Sequence, residues 1–295
     1  MPIDLSLKVD VVENISRDDF QEKYMKPQKP VIIKNYFGKD APLYKKWTFD
    51  YFINEIGDID VGIFDDEGTV RKDDRSYKSA DMTMKFGEYL KLLQAGPTKK
   101  RIFLFNIFKH LPTLKNDFTY PPIADKYLKL PFVFFGGKGA ITRIHQDMDM
   151  SNVFLTELKG KKRVVLIDPY YSTLLYRYPF GVHSSVDPDY PDYDRFPGLA
   201  QVKGYECTIE NGDTLFMPSG YWHHIEYLEG SFGIALRSLS PKTSKRFRGL
   251  YNVAVLTQLD EVMRFFLKDR WHKAKTSIAN SRALKALDKE IKSKE

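Results

Sequence analysis

Two of the places where histidine falls in this 295-residue chain could do chemistry together. The first is Thr142-Arg143-Ile144-His145-Gln146-Asp147. Residues two apart on a strand point to one face, so the His145 imidazole and the Asp147 carboxylate could approach a single metal ion. The second runs from Gly212-Asp213 through Met217-Pro218 to Tyr221-Trp222-His223-His224. There a Gly-Asp turn feeds a strand that stops at proline, and the chain re-enters a sheet at Trp222. The two sites could face each other across a barrel. Two imidazoles and one carboxylate leave coordination positions open, which suits iron(II) in oxygenases that bind a cosubstrate and dioxygen together. A closed four-ligand zinc site leaves no such room. Short patterns such as His-x-Asp recur by chance, and a histidine pair beside Trp222 is also what a hydrogen-bonded core looks like. Their order, on strands with a turn between, favours the metal. Asp149 is a rival carboxylate, though the His-x-Asp spacing favours Asp147.

The elements that must position these residues can be read from alternation. From Pro131 onward short strands follow one another at 139–147, 152–158, 163–168, 205–210, 213–218, 223–228 and 232–239. Such a series suggests an antiparallel sandwich or barrel, and the two-sheet jelly roll is the version that encloses a pocket. Before it, the text reads as mixed structure. A helix starts at Ser16, a strand covers Pro30–Lys34, and a helix capped by Thr48 covers 47–53. A strand at Asp60–Phe64 leads into a polar loop to Ser79, followed by a helix over 86–93 and a strand over 101–105. Past Pro241 the spacing turns helical, over 250–271 and 278–291. The expected fold is mainly β with flanking helices: a cupin-like domain over 1–240 with a mixed α/β opening, and a helical extension over 241–295.

Composition fits a globular protein, with 42% hydrophobic residues. The net charge of +7 is thinly spread except for seven basic residues between Lys273 and Lys294. Set among apolar residues at helical spacing, they read as a solvated helix face rather than a nucleic-acid surface. The single cysteine, Cys207, cannot form an internal disulfide, and no apolar run approaches the roughly 20 residues that span a bilayer. The chain opens without a secretory pattern, and a reducing, cytoplasmic setting is the expectation.

Three stretches carry a family resemblance: His-x-Asp followed by Asn152-Val153-Phe154, then Leu158-Lys159-Gly160-Lys161-Lys162-Arg163-Val164-Val165-Leu166, then Asp189-Tyr190-Pro191-Asp192-Tyr193-Asp194-Arg195-Phe196-Pro197. Over about 30–240, and most densely over 142–239, the chain resembles the cupin-like JmjC oxygenases, which include the asparaginyl hydroxylase that inhibits the hypoxia-inducible factor. The resemblance implies a double-stranded β-helix (jelly-roll) core holding iron(II) through His145, Asp147 and His223. It also implies 2-oxoglutarate as cosubstrate, with Thr142 and Lys162 on its carboxylate and Asn152 nearby. A buried dianion needs such a cation and such donors. The chain departs from the asparaginyl hydroxylase in three places. Asn152 and Lys162 stand one residue further apart, which leaves room for a bulge or a role for Lys161. Phe103 replaces a tyrosine that contacts the cosubstrate. Ser238, beside Arg237, replaces an asparagine, so that Arg237 could supply missing contacts.

The implied activity is hydroxylation of a protein, peptide or amino-acid side chain. Two other classes compete with it. One is a catalytically silent cupin-fold binding module, which Phe103 supports; the other is a zinc or manganese cupin acting as lyase or isomerase, against which Lys162 speaks. The 170–197 loop, rich in tyrosine and aspartate, reads either as a substrate lid offering Asp187 and Asp189 or as an ordered connection. Leu256, Leu259, Val262, Met263, Phe266 and Leu267 form an apolar stripe that could pack on the sheet or pair two subunits as a homodimer.

Overall fold

The computed structural model describes residues 3–65, 80–103 and 105–292, and its frame is two facing sheets. The smaller sheet runs Asp4–Leu7, Lys203–Glu210, Lys161–Ile167, Trp222–Tyr227 and Ile141–His145 in spatial order. The larger runs Asp10–Glu13, Val31–Lys34, Asp213–Met217, Asn152–Lys159, Ser231–Ser238, Tyr127–Gly136, Lys100–Ile102, Asp60–Asp65 and Met82–Lys85. The eight central strands pair antiparallel and form the expected jelly roll. All seven strands read from alternation are present with small shifts at their ends. The polar stretch 66–79 and Leu104 lie outside the described residues.

Alternation sorts each strand's side chains between two environments. Val153 and Leu155 face Val164, Leu166, Ile225 and Ala235 between the sheets. Phe154 and Leu158, on the other face of their strand, join Phe20, Phe52 and Phe216 in a core that the early helices cover. The smaller sheet's outer face packs Val165, Ile167 and Trp222 against Ala279 and Ala283 of the last helix. Ser16 and Thr48 cap their helices as expected, accepting from the amides of Asp19 at 3.1 Å and Tyr51 at 3.0 Å.

Three differences have physical reasons. Tyr127–Gly136, at ten residues the longest strand, was not expected. Pro131 interrupts it, and Lys129 and Leu130 are exposed, so its text does not alternate cleanly. The strand expected over 101–105 is shorter, covering Lys100–Ile102. The helical segment breaks at Lys268, whose φ of 45° is left-handed, not after Trp271. Helices Thr243–Tyr251 and Thr257–Leu267 join through a wide turn over Asn252–Leu256, and Asp269–Lys292 forms one helix of 24 residues. These helices pack on the barrel: Asn252 donates to the Met148 carbonyl at 3.0 Å.

Candidate metal centre and its cavity

His145 and His223 sit directly opposite each other on paired strands of the smaller sheet. Their ring centroids are 4.1 Å apart. Asp147 lies just past the end of the His145 strand, which stops two residues earlier than expected, in a turn closed by the Met150 amide on the Asp147 carbonyl at 3.2 Å. One ligand atom from each of the three residues lies within 4.8 Å of the other two. The Nδ1 position of His145 faces the Arg143 carbonyl at 2.8 Å, and that of His223 faces the Tyr221 carbonyl at 3.2 Å. A carbonyl can only accept, so each Nδ1 carries the proton and each Nε2 lone pair is left for a metal.

Electrostatics prepares the same state. Burial pushes the His145 imidazole well below its ordinary value, and the neighbouring His223 adds to the effect. Burial lowers His223 too. Burial works to raise Asp147, but Arg237 and the two imidazoles outweigh it and hold the carboxyl below its usual range. The arginine donates to Asp147 at 3.3 Å and to Asp149 at 3.5 Å. Neutral imidazoles beside an ionised carboxylate are what a divalent cation requires of its ligands. The donor set and its spacing fit iron(II).

Thr142 reaches the site because its strand is irregular. His223 pairs with His145 and Ile225 with Thr142, so three steps on one strand match two on the other. On a regular strand residues 142 and 145 would face opposite ways; this bulge turns both toward the cavity. The cavity has an outer part of about 290 Å³ and a deeper lobe of about 70 Å³, with Thr142, His145, Asp147, Arg101, Phe103 and Arg237 lining both. Lys162 and Tyr227 close the deep end. Lys162 is 1% exposed and its ammonium lies 4.8 Å from the Tyr227 ring centre. Lys161, by contrast, points to solvent and pairs with Glu210 at 3.3 Å.

The structure does not bring Asn152 and Ser238 to this cavity. They pair in register and face the other side of the larger sheet. The Asn152 amide donates to Ser238 at 3.4 Å, and its oxygen accepts from the Ser219 amide at 2.9 Å. The wall behind the metal site is their place. Arg237, one residue away, faces inward, which settles the strand's parity.

Sequence reasoning missed Arg101, His183 and Glu157. Arg101 lies between two rings, its guanidinium 5.5 Å from Phe64 and 5.8 Å from Phe103. His183 stacks on His145 at 5.9 Å and comes from the 170–197 loop. That loop is tied to the barrel by hydrogen bonds. The Val182 carbonyl accepts from the Gln146 amide at 2.9 Å, while Asp189 accepts from His224 at 2.9 Å and from Arg163 at 2.6 Å. Asp189 is therefore occupied by the protein itself, and Val182 and His183 are the loop residues that reach the mouth. Glu157 pairs with Lys162, and burial pushes its carboxyl up to about 7 even so. Its signal was in the text: it is the one charged residue inside the apolar run 152–158.

Comparison with known proteins agrees with this geometry. The lysine-specific demethylase 8 of Xenopus tropicalis is 26% identical over 228 residues, covering 75% of this chain and 50% of that protein. The human tRNA wybutosine-synthesizing protein 5 is 28% identical over 253 residues, covering 78% and 76%. The lysine-specific demethylase JMJ21 of Arabidopsis thaliana is 26% identical over 247 residues, covering 75% and 24%. The chain thus spans half of the first, three quarters of the second and a quarter of the third. The family model described as a cupin-like domain matches residues 17–239, well over half of the chain and beginning earlier than the motifs alone suggested; the protein belongs to the cupin-like domain family.

Proposed function

We propose that the chain is an iron(II)- and 2-oxoglutarate-dependent oxygenase that hydroxylates a side chain of a protein, peptide or amino acid. The observation that carries this reading is the convergence of His145, Asp147 and His223 beside a cavity that ends at a buried lysine. Bound iron would supply dioxygen activation coupled to decarboxylation of the 2-oxo acid. The protein's own contribution is geometric and electrostatic. His145 and His223 present Nε2, Arg237 keeps Asp147 ionised, and Thr142 and Lys162 receive the far carboxylate of the diacid. Phe103 and Phe134 keep the deep lobe dry. Met148, Val182 and Val253 give the mouth an apolar lining that suits a side chain.

The test is succinate formation by anaerobically purified protein given iron(II), 2-oxoglutarate and then air. Slow uncoupled turnover that falls to background in His145→Ala supports the oxygenase. Absence of succinate, with no change in the metal's spectrum on adding 2-oxoglutarate, rejects it in favour of a silent binding module, for which Phe103 is the structural support.

A second copy of this chain is the proposed partner of the C-terminal helices. Phe265 is 76% exposed, Phe266 73% and Phe247 68%, an apolar surface of the kind that marks an interface. Sedimentation should show a dimer for the wild type and a monomer for Phe265→Glu; a monomeric wild type rejects the pairing. Among the described residues no helix is long and apolar enough to cross a membrane. The Cys207 thiol, pushed by burial up to about 12, is kept unreactive, which is compatible with the reducing, cytoplasmic setting we propose.

A further inference from the structure

The lysine at the deep end of the cavity is already paired before any ligand enters, in a lobe that Arg101, Arg237 and Asp147 also line. Lys162, the cation expected to meet a diacid, is paired with Glu157, and the two side chains are 1% and 0% exposed. Glu157 lies behind Lys162 as seen from the lobe, which Lys162 lines and Glu157 does not. The remaining oxygen of Glu157 and the Ser231 hydroxyl are both buried with no hydrogen-bond partner among the described residues. The other groups that act on this corner are few. Asp213, on the adjoining strand, is held by Lys34 at 2.5 Å. The Glu157 charge acts on the Tyr227 phenol, and Arg101 acts on that phenol from the facing sheet.

A second carboxylate brought to Lys162 would leave one buried negative charge without a counter-charge. Carrying that charge in a dry site costs several kcal/mol, more than protonating a carboxylate already poised near neutrality. We propose that Glu157 takes up one proton from solvent as the far carboxylate of a diacid reaches Lys162, so that Lys162 faces one carboxylate charge rather than two. The inference rests on the reading of the site given above. One O–H bond forms on Glu157, the ion pair of Lys162 passes to the ligand, and nothing is oxidised or reduced. The Glu157 oxygen turned away from Lys162 is the natural seat for the proton: the Ser231 hydroxyl beside it favours the carboxylate while Glu157 is ionised, and a hydroxyl can turn to accept once that oxygen carries a proton. Glu157 thereby sets both the charge of the ligand the floor accepts and the pH range in which it binds.

The free carboxyl titrates at about 7, and the direction follows from linkage. Well below that value Glu157 is already protonated and binding takes up nothing. Above it uptake approaches one proton, and the dissociation constant for the diacid rises about tenfold per pH unit.

The experiment is calorimetry of 2-oxoglutarate binding to the full chain loaded anaerobically with iron(II), at about pH 8, in buffers of different ionisation enthalpy. Wild type should take up close to one proton. In Glu157→Gln the uptake should vanish and the affinity should become flat with pH. Wild-type binding without buffer dependence, or equal uptake in Glu157→Gln, overturns this inference and leaves the proposed oxygenase standing. No binding by the wild type overturns both. If the variant does not fold, the wild-type dependence on pH decides alone: a flat profile above pH 7 overturns the inference.

Discussion

Two buried acid–base clusters in this molecule are alike in composition and opposite in consequence. In the helical region Asp260 is 3% exposed and meets Arg264 and Lys275. One of its oxygens accepts from the Trp271 indole at 2.8 Å and Lys275 at 3.0 Å, and the other accepts from Arg264. In the barrel Glu157 is equally buried but has Lys162 as its one cation, on one oxygen, and that lysine lines an open lobe. Burial alone does not separate a structural ion pair from one that is ready to work. Satisfaction does: the Asp260 carboxylate has used both oxygens to clamp the Thr257–Leu267 helix to the one after it, while the Glu157 pair has capacity left over beside a cavity.

The contrast can be broken by removing one member of each cluster. Asp260→Ala leaves buried cations without their carboxylate and should cost about 3–5 kcal/mol of stability, read from the denaturation midpoint. Turnover per folded molecule and affinity for 2-oxoglutarate should be unchanged. A loss of activity in proportion to the loss of stability would show that the helical cluster also serves the site. Lys162→Met should do the reverse. Losing a charge-assisted contact worth about 1.5–3 kcal/mol raises the 2-oxoglutarate dissociation constant roughly tenfold to a hundredfold. The folded chain should persist, because an unpaired Glu157 is protonated near neutrality. Unchanged affinity would place the cosubstrate's anchor elsewhere.

The smallest effect is expected from a third, partly exposed pair that belongs to neither class. His224 first, and Arg163 with it, lowers the Asp189 carboxyl to about 2. A carboxyl depressed in the folded state stabilises the fold above its unfolded value of about 3.9, and that contribution is lost as pH falls toward the folded value. Denaturation midpoints between pH 5 and pH 2 should therefore fall less steeply for Asp189→Asn than for wild type. Identical slopes would mean that the 170–197 loop is held by its packing alone.

Much of the frame could be read from the text because alternation is a local property. Val153 and Leu155 against Phe154 and Leu158 define two faces without any knowledge of the partner strands. The candidate ligands His145, Asp147 and His223 were legible from their order and spacing, although Asp147 stands in the turn after the strand rather than on it. What escaped depends on pairing. Tyr127–Gly136 escaped because Pro131 breaks its pattern. The short edge strands Asp4–Leu7 and Asp10–Glu13 escaped because they are polar and are fixed only by parallel partners. The helix break at Lys268 has no glycine or proline to announce it. Asn152 and Ser238 were assigned to the cavity by resemblance, and only the strand register shows that they face away from it. Glu157 was visible as a misplaced charge, but its partner lies on the next strand, which belongs to the facing sheet.

The extra residue around Arg143–Ile144 has a consequence for anyone who edits this chain. Matching it with one residue inserted between His223 and Ile225 on the facing strand would set three steps against three and restore an even pleat, and the two strands could keep their hydrogen bonds. Thr142 and His145 would then be unable to look into the same space, and a chain of sound architecture would have traded away either its grip on the diacid or its hold on the ion.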